Sequence, residues 1–322
     1  MTRAKARQSI TRHPLNAKQY NRSVALQCGR QVSYAEVGDP RGFPVICLFG
    51  MRGHRYHSYL YNNLASNHAI RLFCIDRPGY GRSDDVASSE LPHPISFVYI
   101  VEQFLDALHI DRFGLIAQSA GCIYALAIAA QESFAEHLVQ PVMLLAPWVG
   151  IQNPGTLPLL KLAAFCPTML ISAGVKLLDV SNDLTSLSAN PHHVLAALGT
   201  RRNSEFSLLP IHDEAVPFHE FQQRIQSEPN NVLQDAKICL GKCKTGVGFD
   251  ARQIKLAIRV FHGDRDALVP LKAAQEFVAG LADAELSIVK GGTHTILFDE
   301  ELIDSIFEAL IIAARGSSGS WV

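Results

Sequence analysis

Apolar and polar positions alternate along the chain in two rhythms. Short, nearly continuous apolar runs occur at residues 44–49, 70–75, 113–117, 141–146, 256–261 and 286–289. Runs of that length with no polar face predict strands covered on both sides. Segments with helical character lie between or after them, at 56–64, 95–108, 120–130, 271–281 and 302–314. Ahead of the first run, residues 24–28 and 31–37 alternate around Cys28-Gly29-Arg30, which predicts an antiparallel hairpin. Strand and helix in turn argue for a sheet with right-handed crossovers. The expected fold class is therefore α/β: a mostly parallel eight-stranded sheet with helices on both faces.

The rhythm stops between Trp148 and Asp250, where helix-like segments follow one another, separated by Pro, Gly and Asn. This stretch reads as a helical lid insertion covering the edge of the sheet. The expected organisation is a basic flexible tail at 1–22, a core formed by 23–147 and 251–315, the insertion at 148–250, and a Gly/Ser-rich flexible tail at 316–322.

Composition narrows the function classes. The 322 residues are 48% hydrophobic and only 18% charged, against about 25% in an average globular chain, which excludes wholesale disorder. With 29 basic and 30 acidic residues the net charge is −1, so no global field draws in a polyanion, and nucleic acid is not an expected partner. Seven cysteines are scattered, mostly inside apolar runs, and read as reduced core thiols. Cys239 and Cys243 form one close pair without a second Cys/His pair at finger spacing, so no metal site is expected.

The first thirty residues lack a secretory apolar stretch, and they carry Arg and Lys but no acid before Glu36. A cytoplasmic location is expected, with the mitochondrial matrix as the alternative. No segment reaches the roughly eighteen apolar residues of a spanning helix, so membrane contact is not expected. Oligomeric state is not readable from the pattern.

The most informative stretch is Leu115-Ile-Ala-Gln-Ser119-Ala-Gly121, followed at once by an Ala-rich helix. Ala117 and Gly121, two residues on either side of Ser119, let strand and helix backbones approach closely around a tight turn. The turn sets the serine at a helix N-terminus, where backbone N–H groups favour developing negative charge. Read without further context, it is a serine capping an ordinary helix. Two later segments add weight: Asp264-Arg-Asp266-Ala-Leu-Val-Pro270 after one predicted strand, and Gly291-Gly-Thr-His294 after the last.

With these motifs in this order, and with Asp76-Arg-Pro-Gly-Tyr-Gly-Arg-Ser-Asp84 after an early strand and Gly248-Phe-Asp250 closing the insertion, the chain resembles the α/β-hydrolase fold superfamily over about 32–314. The resemblance implies a serine hydrolase with a helical lid and no cofactor. In that scheme Ser119 is the nucleophile, His294 the general base and Asp266 the acid that orients it. Asp264 lies in the same turn and is the alternative acid. The oxyanion donors would be the N–H groups of Ala120 and Met51. Hydrolases of this kind usually carry His-Gly-x-Pro-Gly after the first core strand, whereas this chain reads Phe49-Gly-Met51-Arg-Gly53.

The resemblance further implies an ester or related acyl bond of a small to medium apolar substrate, with Phe49, Arg52 and Trp148 as substrate contacts. Thioesterase, lipase, carbon–carbon hydrolase and acyltransferase chemistry share the same triad. A catalytically silent binding protein on the same fold is the alternative from another class. The basic residues of Arg52-Gly-His54-Arg55-Tyr-His57 could hold a substrate anion or could form the solvated first turn of a helix. Between Leu138 and Val175 only Lys161 is charged, where the chain average would give about seven charges. The second half of that stretch reads as an apolar pocket wall. A histidine general base implies activity that falls below about pH 6.5, as the imidazole takes up a proton.

Overall fold

The apolar runs form most of the sheet because few positions along them need water. In a computed structural model that describes residues 13–86, 93–172 and 216–316, the hairpin is β1 (Arg22–Ala25) and β2 (Gln31–Gly38). The core strands are β3 (Phe43–Leu48), β4 (Ile70–Ile75), β5 (Gly114–Gln118), β6 (Val142–Leu145) and β7 (Ile258–Gly263), followed by the less buried edge strand β8 (Ala284–Val289). They form one sheet in the order β1-β2-β4-β3-β5-β6-β7-β8. Strand β2 is antiparallel to β1 and β4, and the remaining pairs are parallel.

The helices are α1 (Asn62–Asn67), α2 (His93–Ala107), α3 (Gly121–Ala129), α4 (Pro158–Ala163), α5 (Phe218–Gln226), α6 (Val232–Cys239), α7 (Leu271–Ala279) and α8 (Glu300–Gly316). Strand side chains alternate between two apolar layers. Ile46, Phe73 and Leu115 pack with Phe97 and Phe104 of α2, whereas Val45, Leu72 and Ile116 pack with Phe307 and Leu310 of α8. Each such buried side chain contributes roughly 1.5–3 kcal/mol of transfer free energy. Every residue of α3 is buried, which explains why that helix is apolar all round.

From β3 the chain steps to β4 on one side and then to β5 on the other. The loops after β3 and β5 therefore diverge at the carboxyl end of the sheet, where open α/β sheets form their ligand crevice.

The helix expected at 56–64 instead starts as a 3-10 helix over Arg55–Tyr61 and becomes α1 only at Asn62. The buried side chains at 55, 58 and 61 and at 56 and 59 repeat every three residues, which suits the tighter helix. The insertion contributes α4, α5 and α6 among the described residues, while its centre at 173–215, the tails at 1–12 and 317–322, and residues 87–92 lie outside them. No described helix is long and apolar enough to cross a membrane. In the stretch expected as a pocket wall, Leu159, Phe165 and Met169 are 74%, 85% and 80% exposed. They belong to the short helical stretch beyond β6 that no core layer covers.

A buried ion pair joins the hairpin side of the sheet to the 3-10 helix. Arg55 Nη1 lies 2.7 Å from Asp76 Oδ2, and the Arg55 N–H donates to Asp76 Oδ1 at 2.7 Å. The Ser33 hydroxyl donates to the same carboxylate, and Glu228 from the far end of the insertion takes Arg55 Nη2 at 2.9 Å. Removing one partner strands a buried charge, so Asp76→Ala should lower unfolding stability by about 3–5 kcal/mol in urea titration. A loss under 1 kcal/mol would show the pair to be dispensable.

Candidate active site

Ser119 stands directly after β5 with a φ of 52°, in the left-handed region that a residue with a Cβ enters at a cost of order 1 kcal/mol. Its surroundings hold it there. A Cβ on Gly121 would meet the carbonyl oxygens of Leu48 and Phe49, so only glycine lets α3 begin this close to the end of β3. The Ser119 N–H donates to Leu145 O at 3.0 Å, and its carbonyl accepts from Cys122 N and from Trp148 N. Strand β5, strand β6 and helix α3 all grip the same residue.

The other two residues arrive from the ends of β7 and β8. His294 Nε2 lies 2.8 Å from Ser119 Oγ, and Nδ1 lies 2.7 Å from Asp266 Oδ2. Asp266 is buried, and its other oxygen accepts the N–H groups of Leu268 at 2.8 Å and Val269 at 2.9 Å. Burial pushes this carboxyl up, but the hydrogen bond and charge of His294, the Val269 N–H and His262 together outweigh it, so the net pKa is below the ordinary value. A carboxylate on Nδ1 keeps the imidazole proton on that nitrogen and leaves Nε2 to accept from the serine hydroxyl. Asp264 serves elsewhere: its Oδ1 accepts from Gly291 N at 2.6 Å and ties the turn after β7 to the histidine loop.

The loop after β3 passes tightly over the serine. A Cβ on Gly50 would stand 2.7 Å from Ser119 Cβ. Gln118, the residue before Ser119, bridges two loops, because its Oε1 accepts from Gly50 N at 3.2 Å and its Nε2 donates to His294 O at 3.4 Å. Sequence reasoning passed over Gln118, although a polar side chain closing an otherwise buried strand was the available signal. Ala120 is buried at the start of α3, and Met51 is 38% exposed in the loop.

A family model described as alpha/beta hydrolase fold matches residues 44–165. The chain has the α/β-hydrolase fold. An esterase from Exiguobacterium antarcticum superposes with a TM-score of 0.61 at 15% identity, over 90% of this chain and 99% of that one. The esterase RhEst1 from Rhodococcus sp. ECU1013 gives 0.58 at 17% identity, over 91% and 98%. A curated Arabidopsis thaliana protein, "Probable lysophospholipase BODYGUARD 3", is 23% identical over 252 residues, which is 71% of this chain. The chain spans about half, 47%, of that relative's length.

Within this α/β-hydrolase fold, the residues expected to contact substrate also make structural contacts. Phe49 stacks on Tyr61, with ring centroids 5.9 Å apart, and is 6% exposed. Trp148 donates its indole N–H to Cys239 O at 3.0 Å and so pins the end of α6 to the strand side. The basic stretch 52–57 is largely buried rather than a solvated helical turn. Arg55 is consumed by Asp76, His54 is buried, and His57 is half-buried. Desolvation, aided by neighbouring His54 and opposed by a backbone hydrogen bond, pushes the His57 pKa down to about 3, so it is uncharged near neutrality. Arg52 is half-exposed, at a φ of 64°.

The lowered Asp266 pKa has a stability consequence. A carboxyl depressed in the folded state contributes stability above its unfolded pKa and loses it as the pH falls through the folded value. The stability lost in Asp266→Asn should be present at pH 7 and shrink below about pH 4. Urea unfolding across that range checks it, and a penalty constant down to pH 3 would contradict the charge linkage.

Proposed function

We propose that this protein is a serine hydrolase that cleaves an ester or related acyl bond of a lipophilic substrate through a covalent acyl-enzyme. The observation that carries the reading is the unbroken hydrogen-bond chain from Ser119 Oγ through His294 to Asp266. In the proposed reaction Ser119 Oγ attacks the acyl carbon while His294 Nε2 takes its proton. The Ala120 and Met51 N–H groups stabilise the resulting oxyanion. Collapse expels the alcohol, which receives the proton from His294. Water then attacks the acyl-enzyme with His294 again as base, releasing the acid and restoring the serine. Asp266 keeps the proton on Nδ1 and stabilises the imidazolium in both halves.

The lipophilic substrate class is supported by the esterase likenesses, by the lysophospholipase name of the Arabidopsis relative, and by the charge-poor start of the insertion. Phe49, Arg52 and Trp148 remain the proposed substrate contacts, with Arg52 as the half-exposed arginine of its stretch. Phe49 and Trp148 supply apolar area beside the serine turn, since Trp148 N bonds to Ser119 O at 3.1 Å.

A fluorophosphonate probe should label the wild-type protein at one site, and Ser119→Ala should abolish the labelling. Asp266→Asn should lower kcat on an activated ester by about 10⁴-fold, because the imidazole then favours the wrong tautomer. Asp264→Asn should cost far less. A folded wild-type protein that takes up no probe would favour a catalytically silent ligand-binding role.

A further inference from the structure

The Gly50–Met51 peptide has a buried cation behind it. Arg77 Nη2 donates to Gly50 O at 2.9 Å, and Gly53 N donates to the same oxygen at 3.0 Å. In a trans peptide unit the carbonyl and the following N–H point in opposite directions. A guanidinium on Gly50 O therefore aims the Met51 N–H away from itself, and it also polarises the unit so that this N–H becomes a stronger donor.

Arg77 is itself held by one carboxylate and two rings, while its Nε and Nη1 are buried without a hydrogen-bond partner among the described residues. Asp235 of α6 pairs with Nη2 at 2.6 Å, and the guanidinium lies between the rings of Tyr80 and Tyr124 at 4.8 and 4.7 Å from their centroids. Asp235 also accepts the hydroxyls of Tyr80 at 2.6 Å and Tyr124 at 3.0 Å. The Tyr80 oxygen in turn accepts from Arg52 N at 3.4 Å, so the backbone on both sides of Met51 is anchored to one cluster. Arg77, Tyr80, Tyr124 and Asp235 are each no more than 2% exposed. Isolating a charge pair this completely costs more desolvation than an apolar pair of the same size, and pure packing gives no reason to keep it.

We infer that Arg77 is a positioning residue that sets the Met51 oxyanion donor, with Asp235 of the insertion as its counter-charge. The cluster does the bracing that Phe49 cannot do at the position where related hydrolases carry histidine. The inference rests on the proposed role of the Met51 N–H and adds that α6 must be seated for the donor to be in place.

The test uses Arg77→Met/Asp235→Leu, since an apolar replacement of both partners preserves packing where a single removal would not. Hydrolysis of an ester is compared with that of the matching thionoester, whose sulfur accepts hydrogen bonds weakly and draws little from an oxyanion hole. The ester kcat should fall about tenfold or more with KM little changed, and the ester-to-thionoester ratio should fall with it. Tyr80→Phe, which keeps the ring and removes the hydroxyl, should lower the same ratio about fivefold, and it carries the test if the double variant does not fold. Equal losses on both substrates, or none, would overturn the inference. Fluorophosphonate labelling of Ser119 in the same variants separates the outcomes: normal labelling with an unchanged ratio removes only the Arg77 role, whereas absent wild-type labelling removes the hydrolase reading beneath it.

Discussion

The left-handed turn at Ser119 is the constraint on which the site depends. It requires a strand and a helix to meet with almost no separation, and that is possible only because Gly121 rests on the carbonyls of Leu48 and Phe49 and Gly50 lies against the serine itself. The same contacts that bend the chain at Ser119 place the loop after β3 above it. The serine turn and the loop after β3 are thus one packing arrangement, set by β3 lying beside β5 with Leu48 opposite Ala117. The ends of β7 and β8 then need only deliver Asp266 and His294 to the crevice where the sheet order diverges.

Two neighbouring residues after β4 divide the polar interior between them. Asp76 turns toward Arg55 and locks the 3-10 helix to the hairpin side, while Arg77 turns toward Asp235 and reaches the insertion. Buried pairs of this kind add little net stability against an apolar alternative, but each is expensive to break halfway. Their effect is to fix geometry. One defines where the chain goes after the loop that follows β3, and the other ties that loop to α6.

Much of this was legible in the chain because it is local. Six apolar runs marked the core strands, small residues around Ser119 marked the turn, and the order of serine, acid and histidine marked the fold. The choice between Asp264 and Asp266 was not local, since both suit a turn, and only the course of the histidine loop puts one on His294 and the other on Gly291 N. The burial of Arg55 and the pairing of Arg77 with Asp235, 158 residues apart, depend on how the insertion returns to the core. No spacing rule encodes that return. The 3-10 helix at Arg55–Tyr61 was read as α-helix because its three-residue repeat of buried side chains is too short to stand out from an amphipathic pattern.

The central claim is that Ser119 forms a covalent acyl-enzyme. Rapid acid quenching of the protein during turnover of a p-nitrophenyl ester, followed by intact-mass measurement and peptide mapping, tests it most directly. The account predicts one acyl group per chain, on the peptide that carries Ser119, formed with a burst of p-nitrophenol. Turnover with no adduct and no burst, or an adduct on another residue, would contradict it.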